Sequence, residues 1–391
     1  MNWDDKFSDR AGRFRESPIR DLGGLPTAPD TLDMIPGAPD PEAFPTTLLS
    51  ESLTALMANP ERRDAALQYG PTEGDPALLE EIRKLMAGIG VTCGTENILV
   101  TNGAQQGIHL VSSALLSAKD RVIMDAEAYP GALEVFALQD AEVGTLESGD
   151  PAKMIYTTPT FQNPTGRVLD AKARAALLAQ AHDLDAVVLE DDPYQALRYD
   201  GTAEKTLLEM DSAEGGIDSA RVAYLGSFSK LIFPGIRLGW IVAPKALIAR
   251  VAKLKQSEDM QPNAFAQAAM ATLLSRGIED HVTRLQASYR ARRDAMETAL
   301  RTALGNRASW ETPKGGFFFW LTLDQGVDAR DLALEAAKLG VRFIPGSAFS
   351  IDGTGPNNTL RMSFSNVPID RMQDAADRLA QALDAVLTPA H

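Results

Sequence analysis

Short apolar segments recur through the middle of the chain, and the hydrophobic residues within them follow one another without polar alternation. Segments of this kind are typical of parallel strands that are covered on both faces of a sheet. The predicted strands are residues 98–101, 121–124, 154–157, 186–189 and 222–225. Because segments with helical spacing separate them, the pattern predicts an α/β sheet.

The segments between the predicted strands carry helix signals. Before the first strand, Asp75 is placed to cap a helix whose first residue is Pro76. Apolar residues then recur at helical spacing up to Gly88, where the helix is expected to stop. Further helices are predicted near residues 104–116, 131–138 and 170–182.

The pattern changes after the last of these strands. Residues 262–303 predict one or two long helices, and residues 316–321, 329–339 and 359–365 then predict strand, helix and strand. This α+β remainder indicates a second, smaller domain hinged through the long helix. Residues 1–45, rich in proline and glycine, are interpreted as an arm that belongs in part to the small domain. The predicted division is therefore 1–45 for the arm, 46–285 for the large domain and 286–391 for the small domain.

Composition narrows the expected partners. The 391 residues carry a formal net charge of −15, and phosphate backbones require clustered Lys and Arg, so we expect no nucleic-acid partner. No apolar stretch approaches the roughly 18 residues of a membrane span, and the first residues lack a signal-peptide pattern, so no membrane association is expected. The single cysteine, Cys93, cannot form an internal disulfide, which suits the cytoplasm. Dispersed histidines and the absence of HExxH or CxxC predict no metal site.

Candidate functional residues follow the carboxyl ends of the predicted strands, where open α/β sheets bind their ligands. The turn at 102–107 opens a helix, and its free backbone amides would bind a phosphate, although any tight turn favours glycine. Tyr129 follows the second strand and would either cover a planar ligand or pack half-buried. Asn163 belongs to an Asn-Pro-Thr-Gly sequence, which is a turn motif first.

Three consecutive acids, Glu190, Asp191 and Asp192, follow the fourth predicted strand, and Tyr194 comes next but one. An acid beside an apolar strand is costly unless it has a fixed cationic partner. One buried, partnered acid and two acids on a solvated loop are the expectation here.

The most informative residue is Lys230, which follows the fifth strand among small hydroxyl and apolar residues. A lysine that attacks a carbonyl needs partial desolvation and a nearby cation such as Arg237, because both lower its pKa from about 10.4. Alone, Lys230 would be interpreted as a surface lysine. The other residues at the same sheet edge reverse that interpretation. They are the turn that could bind a phosphate, the aromatic ring of Tyr129, the amide of Asn163, and an acid followed by the phenol of Tyr194. Together they meet the requirements of pyridoxal phosphate.

The chain resembles the fold-type I pyridoxal-phosphate enzymes of the class I/II aminotransferase family. It is similar to the subgroup of 2-aminoadipate-type aminotransferases, which is related to the aminotransferase-like half of MocR-type regulators. The resemblance begins near Ile19 and rests on residues 69–74, 163–166, 191–194 and 227–230 and on Arg361. It implies a large domain with a mostly parallel seven-stranded sheet sandwiched by helices, and a smaller α+β domain. The DNA-binding domain of the regulators does not precede these motifs, which favours an enzyme.

The resemblance also implies the roles of the site residues. Lys230 would form an aldimine with pyridoxal 5'-phosphate and carry a proton between the substrate and the cofactor. Asp191 would pair with the pyridine nitrogen, and it is preferred over Asp192 because the family spacing is Asp-x-x-Tyr. Lys230, Asp191 and Tyr194 are therefore the expected catalytic residues. The remaining expected cofactor contacts are Tyr129 on the ring face, Asn163 with Tyr194 at the ring hydroxyl, and Gly103, Ala104, Gln105, Ser227, Ser229 and Arg237 at the phosphate, with Tyr69 from the partner subunit of a homodimer.

The substrate site is expected to contain Arg361, Asn163 and Gly37. By resemblance, Arg361 would bind the substrate α-carboxylate through two parallel hydrogen bonds. The side-chain preference stays open, because the arm contains residues of two kinds. Arginines suited to a distal carboxylate stand at 13, 15 and 20, and residues suited to an apolar or aromatic substrate are Phe14, Ile19 and Phe44.

The expected reaction is a ping-pong transfer of an amino group from an L-amino acid to a 2-oxo acid. A β-lyase or a decarboxylase is an alternative, since the same cofactor supports all three reactions and the protein selects which bond breaks. A third possibility is a sensor that binds the cofactor without turnover. The complete set of catalytic residues argues against the sensor.

Overall fold

The computed structural model describes residues 1–13, 30–353 and 355–388. Its strands are β1 (Leu32–Asp33), β2 (Ile98–Thr101), β3 (Arg121–Met124), β4 (Glu142–Thr145), β5 (Met154–Thr157), β6 (Val187–Asp191), β7 (Val222–Ser227), β8 (Gly239–Val242), β9 (Ala308–Ser309), β10 (Phe318–Leu323), β11 (Val341–Arg342), β12 (Ile344–Pro345) and β13 (Thr359–Ser363). Its helices are α1 (Asp9–Gly12), α2 (Thr46–Ala58), α3 (Pro60–Ala66), α4 (Pro76–Gly88), α5 (Ala104–Leu115), α6 (Pro130–Leu138), α7 (Ala171–Asp183), α8 (Leu207–Asp211), α9 (Phe228–Leu231), α10 (Lys245–Glu258), α11 (Ala264–Leu274), α12 (Glu279–Leu304), α13 (Ala329–Lys338) and α14 (Met372–Leu387). Among these helices, none is both long and apolar enough to cross a membrane.

The large sheet has seven strands in the order β2-β8-β7-β6-β5-β3-β4. Strands β3 to β7 pair in parallel, and β8 is antiparallel to both of its neighbours, β2 and β7. A mostly parallel seven-stranded sheet with helices confirms the predicted fold class. The parallel arrangement brings the carboxyl ends of β5, β6 and β7 to one edge, where the candidate functional residues follow.

Both faces of this sheet are covered. Along β5, Ile155 packs into the apolar cluster on one face, while Met154 and Tyr156 pack into the cluster on the other. Strand β6 divides in the same way, with Val188 on the first face and Leu189 on the second. Burial on both faces explains why these strands lack polar alternation in the sequence.

A second, four-stranded sheet with the order β12-β13-β10-β9 is antiparallel throughout. Helices α12, α13 and α14 contribute residues to the apolar core beside it. Strand β1 pairs in parallel with β11, which ties the early part of the chain to this region. The boundaries proposed at 45/46 and 285/286 stay a prediction.

Residues 34–40, called the strap below, cross from the second sheet to the edge of the first. The carbonyl of Met34 accepts a hydrogen bond from Ser363 N at 2.9 Å, and that of Ala38 accepts one from Ser365 Oγ at 2.6 Å. At the other end, Asp40 N donates to the hydroxyl of Tyr289 on α12 at 2.8 Å. The strap is therefore held by β13, the residues after it and α12.

Candidate active site

A cavity of about 330 Å³ lies at the carboxyl edge of the large sheet, beneath the strap. Its lining includes these predicted site residues: Gly37, Ala104, Gln105, Tyr129, Asn163, Asp191, Tyr194, Ser227, Ser229, Lys230, Arg237 and Arg361. Two predicted residues, Gly103 and Tyr69, are not among the described residues that line it. The cavity thus brings together residues from β6, β7, β13, α5, α9, the strap and four connecting loops.

Lys230 lies on the short helix α9, directly after β7. The first turn is fixed by Ser227, whose Oγ accepts a hydrogen bond from Ser229 N at 3.2 Å. Burial lowers the pKa of Lys230 to about 8, and the positive charges of Arg361 and Arg237 act in the same direction. The ammonium donates a hydrogen bond to the carbonyl of Gly37 in the strap. A larger fraction of this amine is therefore neutral near pH 7 than in an exposed lysine.

Asp191 is the last residue of β6 and is buried. Its Oδ2 accepts a hydrogen bond from the hydroxyl of Tyr156 at 2.7 Å, whereas its Oδ1 has no hydrogen-bond partner among the described residues. Burial raises the pKa of Asp191 to about 6, and the bond from Tyr156 opposes that rise. One carboxylate oxygen is thus held by the protein, and the other is left to a group within the cavity.

The expectation of two solvated acids beside Asp191 is wrong, because Glu190 and Asp192 are buried as well. Strand β6 continues to Asp191, so Glu190 and Asp191 lie within the strand and project from opposite faces of the sheet, and Asp192 follows directly. Glu190 accepts hydrogen bonds from the first amides of α8, at 2.8 Å and 3.0 Å, and lies 3.7 Å from Arg174. Asp192 lines a separate cavity of about 600 Å³ and does not reach Lys230's cavity.

The expected phosphate side is built on the turn before α5. Gly103 has φ +84°, a backbone conformation that favours glycine, and a Cβ at this position would lie 2.7 Å from Nη2 of Arg237. The guanidinium of Arg237, which lines the cavity, therefore packs directly against Gly103. Sequence reasoning missed the support beneath this turn. Asp259 accepts hydrogen bonds from Asn102 Nδ2 at 2.6 Å, from Gln106 Nε2 at 2.7 Å and from the buried Lys255 at 2.6 Å.

Arg361 is buried in the middle of β13. Its Nη1 donates to Asn163 Oδ1 at 2.6 Å, its Nη2 donates to the carbonyl of Ile35, and its guanidinium lies 4.1 Å from the ring centroid of Phe318. Burial lowers its pKa to about 10, which still leaves the group positively charged at neutral pH. The site therefore holds a fixed, desolvated cation beside Asn163.

Two tyrosines line the cavity. Tyr129 is half-buried just before α6, and burial raises its pKa to about 12. Tyr194 is buried against Phe317 and Phe318, and burial raises its pKa further. Both phenols are neutral and able to donate hydrogen bonds.

Of the arm residues considered for substrate preference, the structure describes Arg13 and Phe44. Arg13 lies 3.4 Å from Asp140 and lines a different cavity, of about 720 Å³. Phe44 packs on Phe233, with ring centroids 6.2 Å apart. The remaining candidates, Phe14, Arg15, Ile19 and Arg20, lie outside the described residues.

The residues of the cavity fit pyridoxal phosphate. The unpaired Oδ1 of Asp191 is suited to accept a hydrogen bond from a protonated ring nitrogen, and the amine of Lys230 is suited to an aldehyde. Ser227, Ser229 and Arg237 supply the donors that a phosphate requires. The ring nitrogen, the aldehyde and the phosphate of the cofactor each have a chemically matching partner in this cavity.

Comparison with known proteins agrees with this fit. The family profile "Aminotransferase class I and II" matches residues 47–379. Aromatic-amino-acid aminotransferase 1 of Thermococcus litoralis is 32% identical, over 98% of this chain and 95% of that protein. The 2-aminoadipate transaminase of Thermus thermophilus is 32% identical, over 99% of this chain and 98% of that protein. The crystal structure of an α-aminoadipate aminotransferase from Thermus thermophilus, complexed with N-(5'-phosphopyridoxyl)-L-leucine, superposes with a TM-score of 0.88 and 31% identity, covering 99% of each chain.

The chain belongs to the class I and II aminotransferase family. It is an aminotransferase, and its cofactor is pyridoxal phosphate. The prediction of the family, the cofactor and the main reaction is thereby confirmed.

Proposed function

We propose that Lys230, Asp191 and Arg361 act together in a ping-pong transfer of an amino group from an L-amino acid to a 2-oxo acid. The observation that carries the proposal is that all three side chains line the same cavity, from different elements. Pyridoxal phosphate, when bound, supplies an electron-accepting ring that stabilises the charge left on the substrate α-carbon. The chain's own residues bind, orient and move the proton.

The amine of Lys230 is the proposed general base. A base works best when its pKa lies near the operating pH, and burial with two neighbouring cations lowers the pKa of Lys230 to about 8. Its hydrogen bond to Gly37 shows that Nζ reaches the strap across the cavity. From this position the amine would take the α-proton of the substrate and return it during the second half of the reaction.

Asp191 is the proposed partner of the ring nitrogen. Its carboxylate is buried, so its charge is weakly screened there and favours a protonated nitrogen more strongly than it would in water. Asn163 and Tyr194 are proposed to orient the ring from the side of its hydroxyl, and Tyr129 to cover one face. Ala104, Gln105, Ser227, Ser229, Arg237 and the backbone at Gly103 are proposed to bind the phosphate.

Arg361 is the proposed binding group for the substrate α-carboxylate. The hydrogen bonds to Asn163 and Ile35 and the contact with Phe318 fix the plane of the guanidinium. A fixed plane favours the paired hydrogen bonds by which arginine binds a carboxylate. Gly37, which contacts Lys230 through its carbonyl, is proposed to border the same substrate position.

A homodimer with active sites at its interface is the proposed assembly. Tyr69 is 77% exposed and lies outside its own chain's cavity, which supports a contact with the partner's cofactor. The amide of the next residue, Gly70, donates to Gln261, so Tyr69 neighbours the exposed Met260. Further exposed apolar side chains nearby are Met57 on α2, Leu67 directly after α3 and Phe265 on α11. An apolar surface of this kind is typical of subunit contacts.

The cytoplasm is the proposed location. The single cysteine of the sequence, Cys93, supports a reducing compartment.

Half-reactions with purified enzyme test the proposed transfer. The cofactor-loaded protein is mixed with glutamate, 2-aminoadipate, leucine, phenylalanine or kynurenine, and the conversion of the cofactor to its amine form is followed by absorbance. We expect conversion with at least one L-amino acid and reversal by a 2-oxo acid. Arg361→Met should weaken substrate binding at least about tenfold, since a buried charged hydrogen bond is lost. Release of pyruvate and ammonia without a 2-oxo acid would contradict transfer and favour a lyase.

A further inference from the structure

We propose that Tyr156 is a positioning residue for cofactor binding: its hydroxyl holds Oδ2 of Asp191, so that Oδ1 is directed to the ring nitrogen. The inference rests on the proposed role of Asp191 and extends it to a residue that does not line the cavity. Sequence patterns hide this residue, because Tyr156 stands in the middle of an apolar strand.

The register of the large sheet explains how the two side chains meet. In the parallel pair β5–β6, Tyr156 is opposite Leu189. Asp191 follows Leu189 by one full pleat, so it projects from the same face, diagonally from Tyr156. A tyrosine is long enough to span such a diagonal, and the observed bond from its hydroxyl to Oδ2 is 2.7 Å.

The surroundings of Tyr156 fix its ring. The side chain is 2% exposed, and its ring packs edge-on against Phe136 of α6, with centroids 5.7 Å apart. Burial and the charge of Asp191 raise the pKa of Tyr156 well above its usual value, so the phenol keeps its proton and acts only as a donor towards the acid. A packed ring and a neutral donor hold the carboxylate in one rotation.

The two oxygens of Asp191 are thereby made unequal. Oδ2 is held by Tyr156, while Oδ1 is buried without a hydrogen-bond partner among the described residues. A hydrogen bond to the charged form also opposes the effect of burial, which by itself favours the neutral acid. Tyr156 therefore supports both the direction and the negative charge of the group that faces the ring nitrogen.

The test compares two ligands that differ at a single ring atom. Cofactor-free wild type and Tyr156→Phe are titrated with pyridoxal phosphate and with the analogue in which carbon replaces the pyridine nitrogen. We expect Tyr156→Phe to weaken binding of pyridoxal phosphate about tenfold, as for loss of a hydrogen bond to a charged group. Binding of the carbon analogue should change by less than about twofold, because it makes no bond to Asp191.

Tyr224→Phe is the matched control. Tyr224 is also a buried tyrosine of the large sheet, on the neighbouring strand β7, and it packs into the cluster on the opposite face from Tyr156. Both ligands should bind to this variant as they do to wild type. Each substitution removes one oxygen and keeps the ring, so the apolar packing is retained.

The outcomes separate this inference from the proposed function. Equal weakening of both ligands by Tyr156→Phe, or no weakening, would overturn the positioning role while leaving Asp191 in place. A wild type that does not prefer pyridoxal phosphate over its carbon analogue would instead contradict the role of Asp191. Covalent attachment of the cofactor to Lys230, measured by mass after borohydride reduction, is expected in all three proteins and checks the lysine independently.

Discussion

At the scale of single residues, Lys230 illustrates how burial and neighbouring charges prepare a reactive group. Burial disfavours its ammonium form, and Arg361 and Arg237 disfavour it further. All three effects lower the pKa, whereas an exposed lysine pairs with acids that raise it. The cations proposed to bind the substrate carboxylate and the phosphate thus also activate the amine.

This electrostatic coupling predicts how capture of the cofactor depends on pH. Only the neutral amine attacks an aldehyde, so the rate of covalent capture by cofactor-free protein should rise as the pH passes through about 8. Arg361→Met removes a positive charge, which should raise the pKa of Lys230 and move the midpoint to higher pH. The rate is measured by borohydride quenching at successive times and the mass of the peptide that contains Lys230.

Arg330→Met provides the control, because Arg330 is exposed on α13 and pairs with Asp328 at 2.8 Å. Its pH profile should coincide with that of wild type. A wild-type midpoint near the value of an exposed lysine would show that Lys230 is not activated by its surroundings.

At the scale of elements, the sequence predicted the strands whose signal is local. Residues 98–101, 121–124 and 154–157 are strands with the predicted bounds. Strand β4 was missed because it is an edge strand without fully buried residues. Strand β8 begins with a glycine and joins the sheet antiparallel, and only pairing with β2 and β7 fixes its place. Tertiary contacts outweigh local pattern at both positions.

In the candidate site, too, some residues have a local sequence signal and others are fixed by tertiary contacts. Lys230 and the acids at 190–192 could be singled out because each follows an apolar run with a group that needs explanation. The choice of Asp191 among those acids and the role of Arg361 came from the resemblance to the aminotransferase family. Tyr156 gave no such signal, since its ring suits a buried strand and its hydroxyl acts on a residue of the next strand. The burial of Glu190 was equally hidden, because its partners are the amides of α8.

Gly239 is the element-scale feature with the clearest prediction. A Cβ at this position would lie 2.8 Å from the carbonyl oxygen of Gly226, 2.9 Å from Ala104 N and 2.9 Å from the carbonyl carbon of Gly103. These are backbone atoms, so Gly239→Ala must displace β8 from β7 and from the phosphate turn. We expect a loss of about 1–3 kcal/mol in the free energy of unfolding, together with weaker cofactor binding, measured by urea denaturation and by titration.

The matched substitution is Gly88→Ala. Gly88 ends α4, and a Cβ there would meet nothing within 4 Å. This variant should retain cofactor affinity and be no less stable than wild type, since alanine is the better helix former. Similar losses in both variants would show that the close approach at Gly239 is not the cause.

At the scale of the whole molecule, the proposed homodimer makes each active site depend on two chains. Lys230 lines the cavity of its own chain, while Tyr69 lies on the exposed surface. If Lys230 and Tyr69 act on the same cofactor from different subunits, a chain that lacks one of them can form an active site with a chain that lacks the other.

Mixed dimers test this arrangement. Lys230→Ala and Tyr69→Ala proteins, each with little activity, are unfolded together, refolded and assayed. In a mixed dimer, one site combines Lys230 of one chain with Tyr69 of the other, so we expect activity to return to roughly a quarter of the wild-type value for random pairing of equal chains. Refolding each variant alone is the control. No gain on mixing would contradict a role for Tyr69 across the interface.

The antiparallel entry of β8 also governs the order in which the molecule can be assembled. Strand β2 has β8 as its strand partner, and these segments are separated by the whole parallel part of the sheet. During synthesis, residues 98–101 therefore emerge long before the segment that completes their ladder. The turn at Gly103 is synthesised early, but strand β8, which packs against it, is complete only after residue 242 has left the ribosome.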